Sequence, residues 1–228
     1  DPRGAVTMRH AAIWLAALAF GLGGCAAPPP PPAGPTDKLR IVSLNPCSDA
    51  ILAEIAPGKL VAVSHYSHDP SAGSMPVDRA RRWPSTGGSV EEILEMDADM
   101  VVASTFLPPA SRSALDKLDI PVATLGMENT VAGSLGQVRK LAVEVGEAQA
   151  GDALARRIEA AIARAAPGEG SALPTTILWQ PGGIVPGEGA LVVDLMRRLG
   201  LRPASATRGL GQGDRLPLEA VLVDPPQL

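Results

Sequence analysis

The chain has 228 residues and a formal net charge of −4, enough length for one large domain or two small ones. A mildly acidic balance argues against a nucleic-acid binder and gives no reason to expect a basic patch for a membrane surface. Aromatic residues make up only 3% of the total, so each one stands out as a candidate for a role beyond packing.

Taken in order, Met8-Arg9-His10 and the apolar run 11–21 form a short charged head and an apolar core. The run falls short of the roughly 20 residues that a membrane span needs and suits an export signal. Met8 reads as the initiator, with Asp1 to Thr7 upstream of it. The run ends at Leu22-Gly23-Gly24-Cys25, which resembles a bacterial lipobox. That resemblance implies acylation of Cys25 and an export signal over residues 1–25; the bland reading is an ordinary cleaved signal or a buried apolar helix. Residues 26–37, AAPPPPPAGPTD, favour extended polyproline II and form a semi-rigid linker. Ala26 after the cysteine is similar to lipoproteins passed to the outer membrane, but the choice between inner and outer membrane stays open.

From Lys38 apolar strand patterns alternate with helical ones. In Arg40 to Ile55, Ile41-Val42 reads as a buried strand, Ser43 to Ser48 as a polar turn, and a helix opens near Ser48-Asp49, either of which can cap it. Pro46 pushes Asn45 out of the helical region and holds the turn open. Strands are also expected at 60–63, 100–103 and 122–125, with helices at 90–94, 111–118 and 131–145. Ser89 is the natural cap of the first of these helices. Strands separated by helices imply a parallel sheet covered on both faces, with the loops after the strands lining one edge. Residues 38–147 thus form an N-terminal α/β lobe.

Residues 148–167 read as one long connecting helix, with Leu154, Ile158 and Ile162 at helical spacing and Pro167-Gly168 at its end. A second α/β lobe starts after it, with a strand at 175–179 and a helix at 191–199. Ser89 to Val101 (SVEEILEMDADMV) and Leu216 to Leu228 (LPLEAVLVDPPQL) form a repeat: a glutamate at a helix start, apolar residues, then an Asp-containing turn. In the first copy a strand follows, whereas the second stops where that strand is due. The fold class expected is therefore α/β, two Rossmann-like lobes joined by a single long helix, with the second lobe (168–228) cut short.

RIVSLNPCSDAIL, SHYSHDP, GGSVEEILEMDADMVVAS and LPLEAVLVDPP, in this order and spacing, resemble the helical-backbone class of periplasmic binding proteins. These are the solute receptors of ABC importers for ferric siderophores, haem and vitamin B12. The resemblance implies a monomeric, non-enzymatic lipoprotein of the periplasm. It would capture an iron chelate or corrinoid between its lobes and deliver it to a permease dimer. It also implies that Glu91 and Glu219, at equivalent helix starts, dock on permease arginines; the bland reading is that each complements its own helix dipole.

Ligand contacts are expected in the polar loops. Tyr66, Trp83, Phe106 and Trp179 offer aromatic faces for a flat ligand, or else pack locally. Ser43 and Asn45 offer polar contacts from the first turn. His68 can ligate or hydrogen-bond a cofactor-like ligand, and Arg208 can pair with an anionic one or stay solvated. His65, His68 and Asp69 are metal-capable types, but the remaining histidine, His10, lies in the signal, so no metal site and no cofactor is expected. Cys47 is a packing residue or a nucleophile; no partner base or G-x-S-x-G elbow supports the rival reading, an α/β envelope hydrolase. A direct metal-ion receptor is the other alternative.

Overall fold

The computed structural model describes residues 38–228. The expected export signal, the acylated Cys25 and the Pro-rich linker lie outside the described residues.

Five parallel strands form the first sheet: β1 (Ile41–Ser43), β2 (Leu60–Ser64), β3 (Ser85–Thr86), β4 (Met100–Ser104) and β5 (Val122–Leu125), in the order β3-β2-β1-β4-β5. Successive strand residues point to opposite faces, and both faces are covered. Ile41, Val63 and Val102 pack against Leu52 of α1 (Pro46–Ile55) and against Val138 and Leu141 of α5 (Val131–Glu144). On the other face, Val42, Val101 and Ala103 pack against Ile93 of α3 (Val90–Glu95) and Leu115 of α4 (Pro109–Lys117). A short helix, α2 (Val77–Ala80), and a 3-10 turn (His65–His68) follow β2. The chain leaves β1 toward β2 and β3, then crosses back to build β4 and β5. The topological switch therefore lies between β1 and β4, where such sheets bind ligands.

Helix α1 begins at Pro46, two residues earlier than Ser48-Asp49. Its cap is Asn45, extended at φ −140° and ψ 131°, whose Oδ1 accepts the Cys47 N–H at 2.8 Å. Proline at the first helical position removes an N–H that would have had no partner, so the helix starts there. Asp49 is consumed elsewhere: fully buried, its Oδ2 accepts Ser64 N–H (3.0 Å), Ser64 Oγ (2.6 Å) and Ser67 Oγ (2.7 Å). This carboxyl staples α1 to the end of β2. Burial pushes it above the usual carboxylate range, against the opposing pull of the serine hydroxyls.

Helix α6 (Ala148–Ala165) is the expected connector and packs along α5. Gly151 permits the close approach, because a Cβ there would run into the Ala142 methyl. Glu54 of α1 receives both Arg79 and, from α6, Arg157, which together hold its carboxyl below the ordinary range.

The second lobe contains β6 (Thr175–Thr176), β7 (Ile184–Val185), α7 (Leu191–Arg198), β8 (Arg202–Pro203), α8 (Ala204–Thr207), β9 (Asp214–Arg215) and α9 (Leu218–Val223). β6 pairs with β8 in parallel and β7 with β9 antiparallel. Regular pairing covers only Thr175–Thr176 of the expected strand 175–179; beyond it, Ile177 N–H donates to Leu228 O at 2.9 Å. The first lobe's register reappears here. Arg40 O accepts Asp99 N–H (2.9 Å) and Met100 N–H (3.2 Å); Thr175 O accepts Gln227 N–H (2.8 Å) and Leu228 N–H (3.1 Å). In return, Arg40 N–H donates to Asp99 Oδ2 at 2.7 Å, and Thr175 N–H donates to Gln227 Oε1 at 2.8 Å.

Candidate functional site

The loops after β1, β4 and β5 and the facing side of the second lobe enclose a cleft of about 460 Å³. Asn45 and Cys47 line it from the first turn, Ser104, Thr105 and Phe106 from the loop after β4. The loop after β5 adds Met127, Glu128 and Asn129, and α5 adds Ser134 and Gln137. Leu191 and Gln212 close it from the second lobe. A cleft of this size, partly apolar and carrying a few convergent polar groups, has the form of a small-molecule site. It sits over the topological switch between β1 and β4.

Phe106 and Met127 are 73% and 68% exposed, so two large apolar side chains stand at its walls without protein to cover them. Thr130 caps α5 by accepting the Gly133 N–H at 3.0 Å. The Glu128 carboxylate lies against Gly133 in the same first turn, where the helix dipole favours negative charge. Gln137 donates from Nε2 to Gly126 O at 3.1 Å, while its Oε1 is buried and without a partner. Turning the amide over would set Oε1 against the Gly126 carbonyl, acceptor to acceptor, so the free acceptor is fixed by that contact.

Asn45 and Phe106 are the sequence candidates that line this cleft. Ser43 is fully buried, its hydroxyl 2.7 Å from that of Ser48. His68 Nε2 faces the carbonyls of Ala80 (3.3 Å) and Trp83 (3.2 Å), strapping the α2 segment to the 3-10 turn. Trp83 packs half-buried against the core. Tyr66 is half-exposed, its ring 4.0 Å from that of His65. Trp179 donates from its indole N–H to Leu216 O at 3.0 Å. Arg208 is tied to the carboxylate (2.8 Å) and carbonyl of Asp224. None of these six lines the cleft.

Cys47 departs from the packing expectation. It is exposed on the cleft wall, its Sγ 3.8 Å from Ser74 Oγ, because the early start of α1 places it in the first turn. Met127, Glu128, Asn129, Gln137 and Gln212 were not singled out in the sequence. The rule that binding loops follow strand ends points to the first three; helix α5 and the loop at Gln212 carry no local mark.

A bond between the lobes flanks the cleft. The Val131 N–H at the start of α5 donates to Asp194 Oδ2 of α7 at 2.8 Å, and Arg198 holds the same oxygen at 2.9 Å. The backbone N–H and then the guanidinium depress this carboxyl below the ordinary range.

Glu91 and Glu219 are each the second residue of their helices, α3 and α9, and both are exposed. The neighbouring Glu92 is engaged through Oε2, which accepts Thr86 Oγ1 (2.6 Å), Gly87 N–H (2.8 Å) and Gly88 N–H (3.1 Å). Among the described residues no group of three His, Cys, Asp or Glu side chains gathers to hold a metal ion, and no helix is long and apolar enough to cross a membrane.

A family model described as periplasmic binding protein matches residues 41–228, almost the whole described chain. The chain belongs to the periplasmic binding protein family. Such proteins bind solutes for transport and work outside the cytoplasm. No curated protein matches the chain by sequence. Solved structures with this fold include the periplasmic haem-binding protein RhuT of Roseiflexus sp. RS-1 in its apo form, 22% identical. That match covers 83% of this chain and 74% of that one, with a TM-score of 0.65. The periplasmic haem-binding protein HutB of Vibrio cholerae is 18% identical over 81% of this chain and 72% of its own, with a TM-score of 0.64. The periplasmic vitamin B12-binding protein BtuF of Vibrio cholerae is 20% identical over 83% and 74%, with a TM-score of 0.58. At these identities the likeness is one of fold.

Proposed function

We propose that this periplasmic binding protein captures a large metal chelate, an iron complex or a corrinoid, and delivers it to the permease of an ABC importer. The observation that carries this reading is the cleft of about 460 Å³ between the two lobes, with Phe106 and Met127 uncovered on its walls. Haem-binding and vitamin B12-binding proteins among the fold neighbours support the ligand class. Helix α6 and the Asp194–Val131 bond favour a small closure, since neither is a flexible hinge.

In this reading Glu91 and Glu219 dock on the permease. Matching helix positions and the absence of a protein partner for either carboxylate among the described residues support that role. Interfacial charge pairs couple by roughly 1.5–7 kcal/mol, enough to govern docking. Acylation of Cys25 would tether the protein to a membrane, with residues 26–37 as the stalk. The partition into lobes 38–147 and 168–228 joined by 148–167 belongs to the same proposal.

Titration of the protein with cyanocobalamin, haemin and ferric siderophores tests capture: saturable binding of at least one is expected, and none would sink the reading. Reversing both glutamates, Glu91→Lys with Glu219→Lys, should abolish uptake in cells while the purified variant still binds ligand. Normal uptake by that variant would remove the docking role.

A further inference from the structure

The joint between the lobes is not fully packed. Leu135 and Val138 of α5, Ile158 and Ile162 of α6, and Leu191 and Leu195 of α7 surround a cavity of about 190 Å³. Ser134 is the one polar residue in its described lining. Ser134, Val138 and Leu191 also line the cleft, so the two spaces meet at these side chains. The cavity is an apolar annex to the cleft. Val131, Leu135 and Ile162 also line a second groove beside it, rimmed by Arg139, Glu159 and Arg198. Arg139 is bound to Asp152 and Glu159, and Arg198 to Asp194. These charges are matched within the protein, and what the annex itself offers is aliphatic surface.

Lining atoms that face a void lack van der Waals partners. Cavities of about 150 Å³ lined by Leu, Ile and Phe stay dry and take up an apolar guest such as benzene. The space here suits a short aliphatic chain. A separate small molecule would bear the full entropic cost of association for that little contact. An arm tethered to a solute already in the cleft avoids most of that cost, because its second contact is intramolecular. Seated there, it would touch the first lobe, the connector and the second lobe at once.

Resting on the solute-capture reading above, we propose that the annex seats an aliphatic arm of the captured solute, which is a ferric chelate built with a fatty-acyl chain. Corrinoids are rimmed by amides, and the substituents of haem are short methyl, vinyl and propionate groups. An acylated chelate supplies the apolar arm that the annex takes.

The full chain is titrated with the ferric complexes of N-acetyl- and N-hexanoyl-desferrioxamine B, which have the same charge and differ only in the length of the arm. The hexanoyl complex should bind at least about tenfold more tightly, since each buried methylene contributes about fourfold in affinity. Two variants fill the annex from different helices, Leu195→Phe and Ile162→Phe. Each should erase most of that advantage and leave the acetyl complex bound as before, because neither residue lines the cleft. Benzene should shift the methyl NMR signals of Leu135 in the parent and not in Leu195→Phe. Equal affinity for the two complexes, or an advantage that survives in both folded variants, overturns the inference and leaves solute capture standing. Benzene binding without an acyl advantage assigns the annex to another apolar guest and also overturns it. If neither ferric complex binds, the inference falls; saturable binding of cyanocobalamin or haemin would then keep solute capture, and binding of none of them overturns both.

Discussion

Ile93 and Val221 sit at matching places in helices α3 and α9, each two residues after the exposed glutamate of its lobe. Ile93 is fully buried; Val221 is half-buried, and its neighbours Leu222 and Val223 are 69% and 86% exposed. The helices are alike locally, and the hydrogen bonds that seat them beside their sheets share one register. They differ in the next layer. Ile93 meets Val42, Val101 and Leu115, whereas among the described residues α9 has no helix corresponding to α4 over it. Local sequence makes the helix and its backbone register, and a second layer supplies the burial that stabilises it.

The largest effect that would test this contrast is truncation of the two equivalent residues. Ile93→Ala should cost about 2–5 kcal/mol, as expected for a fully packed aliphatic side chain. Val221→Ala should cost less than about 1 kcal/mol, because little apolar area is lost. Urea denaturation of both variants gives the comparison, and equal losses would break it.

The joint between the lobes comes next. Gly151→Ala should destabilise by about 1–3 kcal/mol, since the added methyl must push α6 away from Ala142 of α5. A melting temperature equal to that of the parent would show that the two helices are not closely seated. Asp194→Ala should cost about 1 kcal/mol through the loss of the Val131 bond. Hydrogen exchange at the Val131 amide should speed up in that variant if the bond ties the lobes together.

The smallest effects concern pH, and two carboxyls, Asp49 of the first lobe and Asp194 of the second, should contribute with opposite sign. Asp49 has a raised folded-state value, so the folded state holds its proton more tightly than the unfolded chain does. Its influence therefore makes stability fall as pH rises from the unfolded value, about 3.9, through the folded one. Asp194 has a depressed folded-state value. Its contribution is full above about pH 3.9 and disappears as pH falls through the folded value. Melting curves between pH 3 and pH 7, at steps of about half a unit, should lose the first slope in Asp49→Asn and the second in Asp194→Asn. A retained slope would assign it to other carboxyls.

By itself, the sequence determined the alternation of strands and helices, the long connector and the placement of most elements to within a residue or two. Those features follow from periodicity and breakers, which act within a few residues. It also located the two matching glutamates, because a repeated helix start is a local pattern. Only the tertiary structure decided which polar groups remain free. Ser43, His68 and Arg208 read as loop-borne ligand contacts, yet the Ser43 hydroxyl, His68 Nε2 and the Arg208 guanidinium each face protein partners: Ser48, the Ala80 and Trp83 carbonyls, and Asp224. Gln137, unmarked in the sequence, keeps an unpaired acceptor because a carbonyl eleven positions earlier takes its N–H. The cleft itself arises from three strand-end loops and a second lobe brought together by α6. Juxtaposition of segments so far apart in the chain depends on packing and register, and no local pattern records it.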